Sequence, residues 1–177
     1  MNLPNKLSIA RVLCIPAIVA LLHFPAPACR ISAAVLFIIG CLTDFLDGRI
    51  ARKRNLVTDF GKFIDPVADK LLVLTTLIML IYRQMMPVWI VIIILCRELT
   101  VDGLRMVAVT KGQVIAAGPL GKWKTACQMV LISAMLILDL PVFSAWPLAV
   151  LAGVVVALTL VSAVDYFVRN ASVLAEK

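Results

Sequence analysis

Charged residues are scarce in this chain: 15% of 177 residues, against 63% hydrophobic, with a mean hydropathy of +1.06. Soluble domains average about 25% charged and about 45–50% apolar, so no water-soluble fold of this size can hide so much apolar surface. Lipid is the solvent that such a composition requires. Six spans of about 20 residues would use roughly 120 residues, which leaves short loops and excludes a soluble enzyme tethered by one anchor. Aromatics are few, at 7%, and the net charge is +7. That combination points away from nucleic acid and toward anionic lipid or phosphate. The five cysteines, at 14, 29, 41, 96 and 127, form no CxxC pair and are odd in number. A disulfide framework and a zinc site are therefore unsupported, and the thiols read as small apolar residues. No internal repeat or low-complexity segment is present.

What is present is a set of hydrophobic runs separated by breakers. They predict an all-α polytopic membrane protein with six transmembrane helices at about 7–24, 31–54, 59–82, 87–110, 119–139 and 145–168. Pro25 and Pro27 end the first run, Pro87 opens the fourth, Gly118-Pro119 divides the fourth from the fifth, and Pro141 and Pro147 bracket the last turn. Ala26-Pro27-Ala28 imitates a signal-peptidase site, but Arg11 sits inside the would-be apolar core and five further runs follow. With both termini cytoplasmic, thirteen of the 17 lysines and arginines lie near cytoplasmic ends. Lys70 and Arg97 lie deeper within spans, and only Arg30 and Arg83 fall on the far side. The whole chain, 1–177, reads as one transmembrane domain.

Acidic residues are concentrated where lipid should exclude them. Asp44 and Asp47 are three apart, Asp65 and Asp69 four apart, so each pair shares one side of its helix. The intervening turn is short, with Thr58 a plausible N-cap, which makes the second and third spans an antiparallel hairpin. Taking Leu56 as the midpoint, Asp47 and Asp65 are each nine residues away, and Asp44 and Asp69 are twelve and thirteen away. Four carboxylates then converge at matched depths. Gly48 and Gly61 are placed to let two backbones, or a ligand, come close. An acidic residue near mid-span costs about 2.5–3.5 kcal/mol even on the lenient insertion scale, so cations must accompany the set. One or two hard divalent ions, Mg²⁺ or Mn²⁺, fit an all-carboxylate donor set, and the lack of histidine and cysteine partners argues against zinc. Internal salt bridges to Arg49, Arg52, Lys62 and Lys70 are the purely structural alternative, from which a membrane protein gains little.

The pattern Asp44-x2-Asp47-Gly48-x2-Ala51-Arg52-x8-Gly61-x3-Asp65-x3-Asp69 resembles, without departure, the signature of the CDP-alcohol phosphotransferases. Shorter pieces, NLPNKLSIAR near the start, Asp65 to Lys70, Arg97-Glu98, Gly103-Leu104-Arg105 and GKWKT at 121–125, resemble the bacterial branch that uses glycerol 3-phosphate. The resemblance implies displacement of CMP from CDP-diacylglycerol by the hydroxyl of sn-glycerol 3-phosphate, forming phosphatidylglycerol phosphate. It implies Asp44, Asp47 and Asp65 as metal ligands, with Asp69 a further ligand, the general base, or both. Gly48, Ala51 and Gly61 would leave space for cytidine and ribose, and Arg52, on nearly the same stripe as Asp44 and Gly48, would clamp a phosphate at two points. A homodimer in the cytoplasmic membrane, with the site facing the cytoplasm, is also implied. A covalent phosphatidyl-enzyme is disfavoured, because the single histidine, His23, falls on the opposite side and no nucleophile–base pair is evident.

A second polar patch suits the acceptor. Glu98, Asp102 and Arg105 follow i, i+4, i+7 spacing on the fourth helix, and Lys122 and Lys124 open the fifth. Arg105, Lys122 and Lys124 could together hold the acceptor phosphate, with Glu98 and Asp102 orienting Arg105. Asn5 and Ser8 are weaker candidates for phosphate or nucleotide contact. The patch favours a phosphorylated acceptor but leaves open phosphatidylglycerol, inositol phosphate or serine. A divalent-cation transporter also places carboxylates at mid-membrane, although the repeats or broken helices usual there are not found.

Overall fold

The computed structural model describes residues 3–54, 59–112, 115 and 118–171, with side chains from Ser8 onward except those of 44–54 and 59–66. The helices among the described residues are α1 (Leu3–His23), α2 (Pro27–Arg54), α3 (Asp59–Tyr82), α4 (Val88–Thr110), α5 (Pro119–Leu138) and α6 (Trp146–Arg169). No strand accompanies them among the described residues, so the all-helical expectation holds. Two helices start four residues earlier than expected, α1 at Leu3 and α2 at Pro27, the second for a clear reason. Pro27, read from the sequence as a terminator, instead opens α2, and the Arg30 amide donates to the Ala26 carbonyl at 3.2 Å. Proline suits the first turn because its missing N–H would have had no partner there and its φ is already helical. Pro119 and Pro147 start α5 and α6 in the same way.

The chain divides into two compact units, Met1–Met85 with Ile132–Leu140, and Met86–Leu131 with Pro141–Lys177. In the first, α1 packs on both α2 and α3, and α2 packs on α3. In the second, α4 packs on α6. The buried residues of α6 are Leu148, Ala152, Val155, Thr159, Ser162 and Tyr166. Their alternating steps of four and three form a narrow seam of the kind two helices share. Thr159 and Ser162 need no partner from α4, since their hydroxyls donate to the Val155 and Thr159 carbonyls of their own helix at 2.6 and 3.2 Å.

The buried core is mostly apolar but holds several polar and charged side chains, and large apolar side chains are also exposed. Leu99, Val150, Leu160, Val164 and Val168 are exposed, while Ser8, Arg11, Arg30, Lys124 and Gln128 are buried. An apolar exterior over a partly charged interior is what lipid as solvent selects. By length and composition, Trp146–Arg169 is the one helix among the described residues that qualifies to cross a membrane; the apolar stretches Ser8–His23 and Pro27–Thr43 are shorter.

Two of the helix ends in the first unit are closed by left-handed residues. Gln84 (φ 58°) ends α3: its amide donates to Ile81 and the Met85 amide to Leu80, the paired bonds of a Schellman cap. Asp139 (φ 56°) ends α5 with the single bond from its amide to Met135. The carbonyls left over at that end, Leu136 and Ile137, accept from the Arg30 guanidinium. Arg30 and Arg83 both reach the Asp139 carboxylate, at 3.4 and 3.5 Å. The two arginines that break the positive-inside count are thus gathered around one carboxylate and the negative end of a helix dipole. Arg30→Met should lower stability by about 1.5–3 kcal/mol, the range for hydrogen bonds to a charged group. Asp139→Asn should cost about 1 kcal/mol or less, because its side chain is 47% exposed. Thermal unfolding in detergent reads both, and equal losses would contradict the capping role of Arg30.

Candidate active site

α2 and α3 approach closely at Gly40 and Leu72. A Cβ on Gly40 would lie 2.7 Å from Leu72 Cδ2, so glycine lets the buried leucine sit against α2 there without shifting its methyl. Gly40 and Leu72 each lie 16 residues from Leu56, the midpoint inferred from the sequence. Continuing the register toward the turn, positions 47 and 65 lie seven residues from Gly40 and Leu72 respectively. Seven residues bring an α-helix within about 20° of two full turns, so both positions fall close to the α2–α3 contact line and level with each other. Positions 44 and 69 lie four and three residues from the same pair.

The side chains of Asp44, Asp47, Gly48, Ala51, Arg52, Gly61 and Asp65 lie outside the described residues, as do Asn5 and the Thr58 cap. Asp69 is described and partly buried on α3. Among the described residues no group of three histidine, cysteine or acidic side chains forms a metal site. The expected donor set is all carboxylate, which suits a hard divalent cation.

Sequence reasoning undervalued Arg11, counting it only as a charge. Arg11 is 2% exposed, and its Nε donates to the Gly40 carbonyl at 3.2 Å. The same carbonyl accepts from Thr43 Oγ1 at 2.9 Å. A buried guanidinium from α1 therefore meets α2 one turn before Asp44, at the glycine that seats Leu72. His23, by contrast, ends α1 at the other end of the unit, stacked on Tyr82 with ring centroids 5.6 Å apart. From Pro27 to Asp44 is 17 residues of helix, about 25 Å, which keeps this imidazole away from the aspartates.

In the second unit the three basic residues expected to act together have different surroundings. Lys124 is 1% exposed and donates to Glu98, which also faces Arg97 at 3.5 Å. Lys122 is exposed, as two residues along a helix turn side chains to opposite faces. Arg105 is partly buried, and its Nε donates to the Tyr166 hydroxyl at 3.0 Å. Glu98 thus serves Lys124 and Arg97, and Tyr166 of α6 supports Arg105. Gly121 lets Arg97 in, since a Cβ there would lie 3.0 Å from its Nη2.

A family model described as CDP-alcohol phosphatidyltransferase matches residues 1–164. The chain belongs to that family. A Bacillus subtilis protein named CDP-diacylglycerol–glycerol-3-phosphate 3-phosphatidyltransferase is 44% identical, covering 96% of this chain and 95% of its own. A protein of the same name from Rickettsia bellii is 43% identical over 77% of this chain and 75% of its own. An Arabidopsis thaliana protein, named as number 2 of that activity, is 39% identical over 76% and 64%. The match to the CDP-alcohol phosphatidyltransferase model runs through both compact units, so the aspartate hairpin and the Arg105 region belong to one family pattern.

The register has a direct chemical test. In a chain whose native cysteines are replaced by alanine, cysteines at positions 47 and 65 should be joined by a short bifunctional thiol reagent. Cysteines at 47 and 72, offset by about 10 Å along the helices, should not. Efficient joining of the second pair would contradict the register.

Proposed function

We propose that the protein transfers the phosphatidyl group of CDP-diacylglycerol to sn-glycerol 3-phosphate, releasing CMP and forming phosphatidylglycerol phosphate. The observation that carries this reading is the match to the Bacillus subtilis relative over nearly the full length of both chains. The close approach of α2 and α3 at Gly40 and Leu72 supports it, since helices continued from that contact would carry positions 47 and 65 to similar heights. In this reading Asp44, Asp47 and Asp65, with Asp69, hold Mg²⁺ or Mn²⁺, two ions in all. A bound divalent ion neutralises the pyrophosphate and stabilises the departing CMP.

The chain's own groups do the rest. The acceptor hydroxyl attacks the phosphorus that carries diacylglycerol, the bond from that phosphorus to the CMP oxygen breaks, and Asp69 takes the hydroxyl proton. A general base must stand about 2.6–3.2 Å from that proton's oxygen. Arg52 clamps a phosphate of the CDP-lipid, Gly48, Ala51 and Gly61 leave room for the nucleoside, and Arg105 holds the acceptor phosphate. Lys122 and Lys124, the second paired with Glu98, complete the basic cluster for that phosphate. We further read the chain as a single domain with six membrane spans and both termini cytoplasmic, a homodimer of the cytoplasmic membrane with the site on the cytoplasmic side. The exposed apolar side chains and the buried cations support lipid as its surroundings.

Asp44→Asn, Asp47→Asn and Asp65→Asn should each reduce CMP release by orders of magnitude, since each removes a charge the ion needs. Chelator should abolish wild-type turnover, and Mg²⁺ or Mn²⁺ should restore it. Asp69→Asn should stop the chemical step while CDP-lipid binding stays near normal if the residue is chiefly the base. Parallel loss of metal binding would make it a ligand first. Arg105→Ala should raise the acceptor KM about tenfold or more, by loss of about 1.5–3 kcal/mol of charge-assisted bonding. The deciding assay offers purified protein CDP-diacylglycerol with glycerol 3-phosphate, phosphatidylglycerol, inositol phosphate or serine, and measures CMP and lipid product. Preference for another acceptor overturns the acceptor assignment; metal flux in liposomes without CMP release overturns the enzyme reading.

A further inference from the structure

Arg105 is held by one residue that the sequence did not connect to it. Tyr166, 6% exposed, sits on the α6 seam in an apolar cluster with Val101, Leu104 and Ala108 of α4. Its hydroxyl accepts the Arg105 Nε–H at 3.0 Å, and the guanidinium carbon lies 5.5 Å from its ring centroid. The ring is locked by packing, so the hydroxyl is a fixed acceptor at the rim of an apolar cluster. A guanidinium can grip a phosphate with two forks, the side formed by Nε and one amino group, or the end formed by both amino groups. Tyr166 occupies Nε, which removes the side fork. Among the described residues no hydrogen bond or ion pair engages the two terminal amino groups, which leaves the end fork for a ligand.

We propose that Tyr166 is a positioning residue that fixes Arg105 for end-on, two-point capture of the acceptor's phosphate. This rests on the acceptor role given to Arg105 above. The account also explains why a tyrosine, rather than one more aliphatic residue, occupies this seam position: its ring packs like a core residue while its tip meets a cation.

Tyr166→Phe tests the proposal, because it keeps the ring, the packing and the cation–π contact and deletes only the acceptor oxygen. The KM for glycerol 3-phosphate should rise about threefold to tenfold, the range expected for one hydrogen bond. The kcat and the KM for CDP-diacylglycerol should stay as in wild type. In an Arg105→Ala background, Tyr166→Phe should add nothing, since there is no guanidinium left to place. If Arg105→Ala raises the acceptor KM and Tyr166→Phe leaves it unchanged, the tyrosine only packs and the proposal is overturned while the acceptor reading stands. If Arg105→Ala itself leaves the acceptor KM unchanged, the acceptor reading fails, and the proposal with it. A thermal unfolding midpoint for Tyr166→Phe within a degree or two of wild type separates these outcomes from misfolding.

Discussion

A carboxylate surrounded by lipid must be neutralised, and five of this chain's ten acidic residues lie on α2 and α3, four of them in the family signature. That constraint organises the first unit. The proposed site needs the two helices to keep register over the turns that carry the aspartates, and α2 and α3 approach closely at Gly40 and Leu72. Arg11 reinforces the same point from a third helix, placing a buried cation against the Gly40 carbonyl. A buried arginine is itself costly to accommodate in lipid, so its presence one turn before Asp44 joins the packing of α1 to the charge of the hairpin. Proximity of acids and bases is therefore a matter of helix packing here as much as of motif.

The same economy governs the remaining interior charges. Lys124 is buried with Glu98, Arg30 and Arg83 share Asp139 and the end of α5, and Arg105 leans on a tyrosine. Apolar side chains cover the exterior. Residues with exposed charge, such as Lys111, Lys122 and Arg169, lie near helix ends that the charge count assigns to the cytoplasm.

Much of this was legible in the residues themselves. Helix positions followed from hydrophobic run length and proline placement, and the one close approach described between α2 and α3 lies equally far from Leu56 on both sides. The start of α2 was misjudged because proline both ends one helix and begins another, and the sequence does not say which. What could not be read were the contacts between helices distant in the chain. Tyr166 lies 61 residues from Arg105, and only the seam between α4 and α6 brings them together. Lys122 and Lys124 looked alike as charges, yet helical geometry sends one outward and buries the other. A tyrosine near the end of an apolar helix, in a chain with only two, was the available signal. Arg11, an arginine inside an otherwise apolar run, was another.

The central proposal is that the aspartates of α2 and α3 are neutralised by divalent cations rather than by the chain's own lysines and arginines. Anomalous diffraction at the manganese edge, from crystals grown in lipid with Mn²⁺, tests this most directly. The account requires manganese peaks between α2 and α3 at the height of positions 47 and 65, and their loss in Asp65→Asn. A fully occupied set of salt bridges at that height, with no manganese peak in the wild-type protein, would contradict it.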